Sequence, residues 1–188
     1  LKKTESIDVM DAVGSNIRID TYGWEVKRIL PKINENINEE WISDKTRYAC
    51  DGLKYQRLDT PYIRSNDGFK KISWEDAYGT LTDKIKSTNP DKIGCITGDL
   101  TNMETLFSVK ELFNKILNCK NLDSRSVKTY INNSSRTNYI FNTQISNIEK
   151  SDFILLIGTN PRHEATILNS RIRKSYLKNN MEIYSLTD

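Results

Sequence analysis

Side chains able to hold a metal or carry redox chemistry are few in this 188-residue chain. Cysteine occurs three times, at Cys50, Cys95 and Cys119, and histidine once, at His163. No two cysteines share the close spacing of a zinc or iron site, and an odd number builds no disulfide framework. A reducing compartment and thiols that pack as small apolar groups fit Cys95 and Cys119. Cys50 lies in a short predicted helix just before Asp51-Gly52 and has no cluster-ligand neighbour. His163 follows Pro161-Arg162 and precedes Glu164. Such neighbours could bring an imidazole to titrate near neutrality, but no cysteine and no serine on a recognisable elbow stands beside it as a nucleophile. No catalytic residue is therefore assigned.

Phosphate chemistry is equally sparse. The eight glycines include no GxG pair and no Walker A sequence. Gly158-Thr159-Asn160 follows an apolar run and precedes a predicted helix, which is where open α/β sheets place ligands. A turn that needs a flexible residue and a helix cap explains the same residues, so Gly158 and Asn160 are the two cofactor-binding candidates and their bland reading stands beside them. The helix that follows carries Arg162, Arg171, Arg173, Lys174 and Lys178. A solvated face or protein contacts account for such a cluster; an anion site is the minority reading.

The elements that would position these residues fall into two styles. Ile7, Val9 and Val13 lie on odd positions, and residues 16–20 and 25–29 alternate, which predicts short antiparallel strands over 6–30 with a turn at Tyr22-Gly23. A short helix is expected from Asp44 to about Asp51, and a hairpin turns at Asn66-Asp67-Gly68. From Ser73, a natural N-cap, the period becomes helical, with Trp74, Ala77, Leu81 and Ile85 on one face up to Asn89-Pro90. A strand over Lys92–Thr97, a helix over Asn102–Leu117 and a short helix around Ser135–Phe141 follow; 118–133 receives no element. Phe153–Ile157 reads as a parallel strand buried on both faces. Ala165, Leu168, Ile172 and Tyr176 mark the next helix face, and Met181–Leu186 supplies another strand. The fold class expected is α/β: a parallel-sheet domain over 61–188, incomplete at its end, preceded by a small antiparallel β-rich domain over 1–60.

Composition excludes several roles. A formal charge of +3 is too small for a nucleic-acid binder, and no apolar run approaches the roughly 18 residues of a membrane span. No secretory signal is visible at Leu1-Lys2-Lys3, and a first residue other than Met suggests a fragment or processed chain.

Longer strings are more telling than these parts. SIDVMDAVGSNIRID (6–20), EVKRILPKINENINEEWISDKTRYACDGL (25–53), DGFKKISWEDA (67–77) and SDFILLIGTNPRHEATILNSRIRKS (151–175) resemble the G-chain family of NADH-quinone oxidoreductase, respiratory complex I, the counterpart of the mitochondrial 75 kDa subunits. That family is similar in turn to the molybdopterin oxidoreductases, such as formate dehydrogenases, whose small first domain opens with C-x2-C-x3-C-G and adds a fourth cysteine to hold a [4Fe-4S] cluster. Laid on this sequence, the four positions are Ser6, Val9, Val13 (before Gly14) and Ser43. No thiolate remains at any of them, and iron–sulfur clusters need thiolate or comparable donors.

The resemblance implies a segment of an enzyme that moves electrons from NADH through flavin and iron–sulfur clusters to quinone while translocating protons. Full-length members bind [2Fe-2S] and [4Fe-4S] clusters through an N-terminal stretch absent from this sequence. This segment would hold no cofactor and no metal, act as a structural scaffold, and be inactive alone. Its partners would be other peripheral-arm subunits, with no nucleic acid and no direct membrane insertion. Its place would be the cytoplasmic face of a bacterial inner membrane, or the matrix side in mitochondria. The alternative is a piece of a molybdopterin-dependent oxidoreductase such as a formate dehydrogenase, which would call for an intact four-cysteine site. A stand-alone nucleotide-binding module would need a phosphate loop.

Overall fold

The computed structural model describes residues 1–125 and 130–186. Strands β1 (Lys2–Ile7), β2 (Asn16–Tyr22) and β3 (Glu25–Pro31) come first, then helix α1 (Asp44–Tyr48). The hairpin β4 (Tyr62–Ser65) and β5 (Gly68–Lys71) leads into α2 (Trp74–Lys86), β6 (Cys95–Ile96), α3 (Met103–Lys110) and β7 (Leu122–Asp123). The last elements are β8 (Phe153–Ile157), α4 (Pro161–Glu164), α5 (Thr166–Asn179) and β9 (Glu182–Leu186). The architecture is mixed α/β with small sheets. Two compact units emerge: one joins residues 1–56 to those from 131 onward, the other is 57–130. No helix among the described residues is long and apolar enough to cross a membrane.

In the first unit, β1, β2 and β3 form an antiparallel sheet in sequence order. Gly23 stands at φ +56 in a two-residue hairpin turn, the position where type II′ turns take glycine. The strand expected to include Val9 and Val13 stops at Ile7. Beyond it, the Asp8 side chain accepts the Met10 N–H (3.0 Å) and Asp11 accepts the Val13 N–H (2.9 Å). These local turns satisfy the backbone in place of a ladder, so 8–15 is a loop. Val13 is buried, whereas Val9 is 66% exposed.

β8 and β9 pair in parallel, Phe153 opposite Glu182 through Ile157 opposite Leu186. Beneath them Ile148, Ile172 and Met181 form a core on which Ile154 and Leu168 pack. The expectation of burial on both faces is corrected here. Phe153, Leu155 and Ile157 are exposed, because the sheet has two strands and this core lies against the face of Ile154 alone. Tyr176 is likewise exposed, and the inner face of α5 runs through Ile167, Arg171, Ile172 and Ser175.

The second unit is built from local signals. Ser73 caps α2 by accepting the Asp76 N–H, and Asn102 caps α3 by accepting that of Thr105. The helix expected over Asn102–Leu117 is α-helical only to Lys110. It continues as a π-turn over Glu111–Ile116, closed by a Leu117 N–H to Leu112 C=O bond. The strand expected from Lys92 shrinks to Cys95–Ile96, since Pro90–Lys92 forms a 3-10 turn. β6 and β7 pair in parallel. Of the stretch 118–133, residues 126–129 lie outside the described ones. Back in the first unit, the short helix expected at 135–141 is a 3-10 turn at Arg136–Asn138.

Candidate functional site

The four positions matched to cluster ligands differ in environment. Ser6 sits exposed in β1 and Val9 is open to solvent, while Val13 and Ser43 are buried. Ser43 caps α1, its Oγ accepting the Thr46 N–H at 3.2 Å. Thr46 Oγ1 donates to Asp8 Oδ2 at 2.7 Å and lies 2.8 Å from Ser43 Oγ. The threonine's single hydroxyl proton is thus committed to the carboxylate, so Ser43 Oγ–H must donate to Thr46. A chain runs Ser43 to Thr46 to Asp8, and the other Asp8 oxygen takes the Met10 N–H. Ser43, Thr46 and Asp8 are all buried. A hydrogen-bonded chain therefore stands where the family pattern asks for the fourth cysteine. Two valines and two serines do not fit a cluster that requires four thiolate-like donors.

The cysteines do not compensate. Cys50 donates weakly to the Arg47 carbonyl and Cys119 to the Ile93 carbonyl. Among the described residues no three His, Cys, Asp or Glu side chains gather as a metal site.

The second candidate, the turn after β8, borders a cavity of about 540 Å³ lined by Gly158, Thr159, Asn160, Glu164, Asn169 and Ser185 among others. Gly158 adopts φ +58 while its N–H bonds the Leu186 carbonyl, a conformation glycine takes without a Cβ penalty. Asn160 caps α4 through the Arg162 N–H. Glu164 reaches back into the turn, accepting the Thr159 hydroxyl at 2.5 Å and the Asn160 N–H at 3.1 Å. Those two bonds, the hydroxyl first, hold its carboxyl below the usual range. Two donors of the turn, the Thr159 hydroxyl and the Asn160 N–H, are thus already bonded to a carboxylate. His163 is exposed, and its imidazole takes no hydrogen bond among the described residues.

Structure separates the basic cluster of the last helices. Arg162, Arg173 and Lys178 are exposed. Arg171 is 3% exposed, and Lys174 is half-buried. The Arg171 guanidinium donates to the Ile37 carbonyl (2.7 Å), the Glu35 carbonyl and the Glu149 carboxylate. Lys174 bonds Glu39 and, at 3.0 Å, Glu149. Burial on its own raises the Glu149 carboxyl, but hydrogen bonds from Lys174 and Arg171 outweigh it and hold the group below its usual range. Glu39 and then Glu149 push the Lys174 ammonium up. Of the two expected readings, a solvated face holds for Arg162, Arg173 and Lys178, and protein contacts for Arg171 and Lys174, which form a buried clasp between α5 and the loop over 33–41. Its signal was present: Arg171 stands four residues after Ile167 and next to Ile172, on the inner stripe of the helix.

Two further buried polar residues escaped sequence reasoning. Asn38, 1% exposed, donates to the carbonyls of Lys32, Glu39 and Trp41 and accepts the Asn16 N–H. Asp20, with no exposed surface, is clamped by Arg18 and Arg28 (both Nε bonds under 3 Å), whose hydrogen bonds lower its carboxyl, Arg18 first. An aspartate in the middle strand of a sheet gave no hint of either arginine.

Comparison with known proteins places these features in a family. Residues 57–188 match the molybdopterin oxidoreductase family, and residues 1–51 match the NADH-ubiquinone oxidoreductase NDSU1/NuoG-like, 4Fe-4S domain. The mitochondrial NADH-ubiquinone oxidoreductase 78 kDa subunit of Candida albicans is 52% identical over 191 residues, covering 99% of this chain and 26% of that protein. The NADH-quinone oxidoreductase G subunit of Rickettsia conorii is 54% identical over 172 residues, 92% of this chain and 26% of its own length. The NADH-ubiquinone oxidoreductase 75 kDa subunit of Reclinomonas americana is 46% identical over 199 residues, 99% of this chain and 29% of its own length. The chain spans about a quarter of the length of the curated relatives it matches. With a family match over 57–188 and relatives near one half identical along almost its whole length that are G and 75–78 kDa subunits of NADH-quinone oxidoreductase, this chain belongs to the molybdopterin oxidoreductase family.

Proposed function

We propose that this chain is a scaffold segment of an NADH-quinone oxidoreductase and holds neither an iron–sulfur cluster nor a pterin itself. Electron transfer from NADH through flavin and clusters to quinone, coupled to proton translocation, belongs to the assembled enzyme. The segment's share is to brace neighbouring cluster-bearing protein and to offer surface to other peripheral-arm subunits. It would lie on the cytoplasmic face of a bacterial inner membrane or on the matrix side, without entering the bilayer. By sequence it comprises a small β-rich domain over 1–60 and a parallel-sheet molybdopterin-oxidoreductase-like region over 61–188.

The observation that carries this reading is the Ser43–Thr46–Asp8 chain, together with the side chains at cluster positions Ser6, Val9, Val13 and Ser43. Hydroxyls bonded to one another and to a carboxylate do not offer the thiolate donors that such a cluster takes. The Glu164 carboxylate in the turn of Gly158 and Asn160 supports the same conclusion for a phosphate-bearing pterin, since like charges repel in a partly enclosed site. Anaerobic reconstitution with iron and sulfide, followed by metal analysis, tests the reading. A colourless protein without iron is expected, and it should not reduce ferricyanide with NADH, with or without added flavin. Stoichiometric iron with thiolate-to-iron absorption would overturn it.

A further inference from the structure

On the outer side of the clasp, Ile33, Glu35, Glu39, Glu40, Trp41 and Lys174 line a groove of about 420 Å³. Its apolar walls are open: Trp41 is 58% exposed and Ile33 68%. Neither ring nor branch packs into the core, yet the loop that displays them is pinned along its length. Asn34 and Glu39 exchange backbone hydrogen bonds, the Asn38 amide bonds the carbonyls on both sides of it, and Arg171 holds the carbonyls of Glu35 and Ile37 from beneath. A surface this fixed loses little conformational freedom when something settles on it.

Charge decides what would settle there. Glu39 is already shared between Lys174 and Arg171. Glu35 and Glu40 are exposed, and their carboxylates have no hydrogen-bond or ionic partner among the described residues. Around the groove, four carboxylates (Glu35, Glu39, Glu40 and Glu149) face two cations, on a chain whose net charge is positive. We propose that this groove docks a basic, partly apolar segment of a protein partner, with an arginine laid on the Trp41 indole between Glu35 and Glu40. A guanidinium stacks on an indole and is weakly hydrated, so it suits an aromatic floor with acidic walls better than a lysine does. The apolar neighbour of that arginine fits against Ile33. Phosphate-rich ligands are repelled by the same carboxylates. This inference rests on the scaffold reading and names one surface through which the scaffold is used.

Trp24→Phe with Trp74→Phe leaves Trp41 as the single indole to report on the site. The probe is a capped hexapeptide alternating arginine and leucine, with a glutamate–leucine hexapeptide as the control. The basic peptide should shift Trp41 emission saturably to shorter wavelength, less so at higher salt, and the acidic one should not. Glu35→Gln with Glu40→Gln, both surface changes, should weaken binding about fivefold, as expected for two partly exposed ion pairs, with the circular dichroism unchanged. Equal response to the acidic peptide, no response of Trp41, or a double variant that titrates like its parent overturns the groove. Iron content, measured on the same protein, separates the two ideas. Stoichiometric iron sinks the scaffold reading, whereas an iron-free protein that ignores the peptide sinks the groove alone.

Discussion

In the unit formed by 1–56 and the residues from 131 onward, polar groups lie inside and, the Ser15 hydroxyl apart, are answered by partners among the described residues. Asp20 sits between two arginines, Asn38 satisfies a whole loop, and Arg171 bridges segments far apart in sequence. In the unit of 57–130, Cys119 alone is buried among the described residues, and the organising contacts are helix caps and one hairpin. Both units combine helices with small sheets. They differ in the reach of their contacts: the first unit is tied together by partners more than 130 residues apart, the second mainly by local bonds.

The sharpest way to break this contrast is Arg171→Ala. Glu149 and two carbonyls would lose a hydrogen-bond donor at a buried position and Glu39 one of its two cations, and removing one member of such a network typically costs about 3–5 kcal/mol. Urea unfolding should show that loss in protection of both β2 and α5, and a cost under about 1 kcal/mol, as for exposed pairs, would show the clasp to be ornamental. Next comes Leu168→Ala. Because Leu168 is only partly buried against Ile148, Ile172 and Met181, about 2 kcal/mol is expected, the low end for deleting a leucine side chain. A negligible change in the urea midpoint would place α5 away from that core.

Acid should act on the same unit more gently. Glu149 has its pKa depressed in the folded chain, so its contribution is complete above the unperturbed value near about 4.3 and fades as pH falls through the lower folded value. Lys174, raised in the fold, contributes fully below its ordinary value and loses that share only as strongly alkaline pH passes the folded one. The urea midpoint should therefore fall on acidification below about pH 4.3, and Glu149→Gln should flatten that fall. An unchanged pH profile in the variant assigns the acid sensitivity elsewhere. Smallest is Ser73→Ala, which removes the α2 cap at a cost of about 1 kcal/mol. Hydrogen exchange should quicken in α2 alone, and quickening in β2 or α5 as well would deny that the second unit is locally organised.

Local rules made the second unit readable. Ser73 with Asp76 marks a helix start, and Asn66-Asp67 between alternating strands marks a hairpin, and both stand where the sequence puts them. In the first unit the strands of 16–20 and 25–29 were equally plain, but the loop at 8–15 was not. Alternation of Ile7, Val9 and Val13 mimics a strand, and only the side-chain bonds of Asp8 and Asp11 cancel it. The clasp was hidden for a different reason. Five positive residues on neighbouring helices fit a solvated face and protein contacts equally until the partners of Arg171 are known, and those lie on a loop that the pattern left without an element. The absence of thiolates at Ser6, Val9, Val13 and Ser43 could be read directly, whereas the hydroxyl–carboxylate chain at Ser43 needed coordinates.

Arg171 and Lys174 meet the loop over 33–41 across separations of 134 to 136 residues. During translation, at about 5–20 residues per second, the first strands would wait roughly 7–27 s for those partners to appear. Residues 57–130 emerge meanwhile, and their hairpin and helix caps are made by residues close together in sequence. The first unit must then join segments more than 130 residues apart, a step with high contact order that is slow compared with helix or hairpin formation. Until that step, the sheet of β1, β2 and β3 is without its clasp, and nascent-chain stalling anywhere before α5 would leave the loop over 33–41 without Arg171 and Lys174.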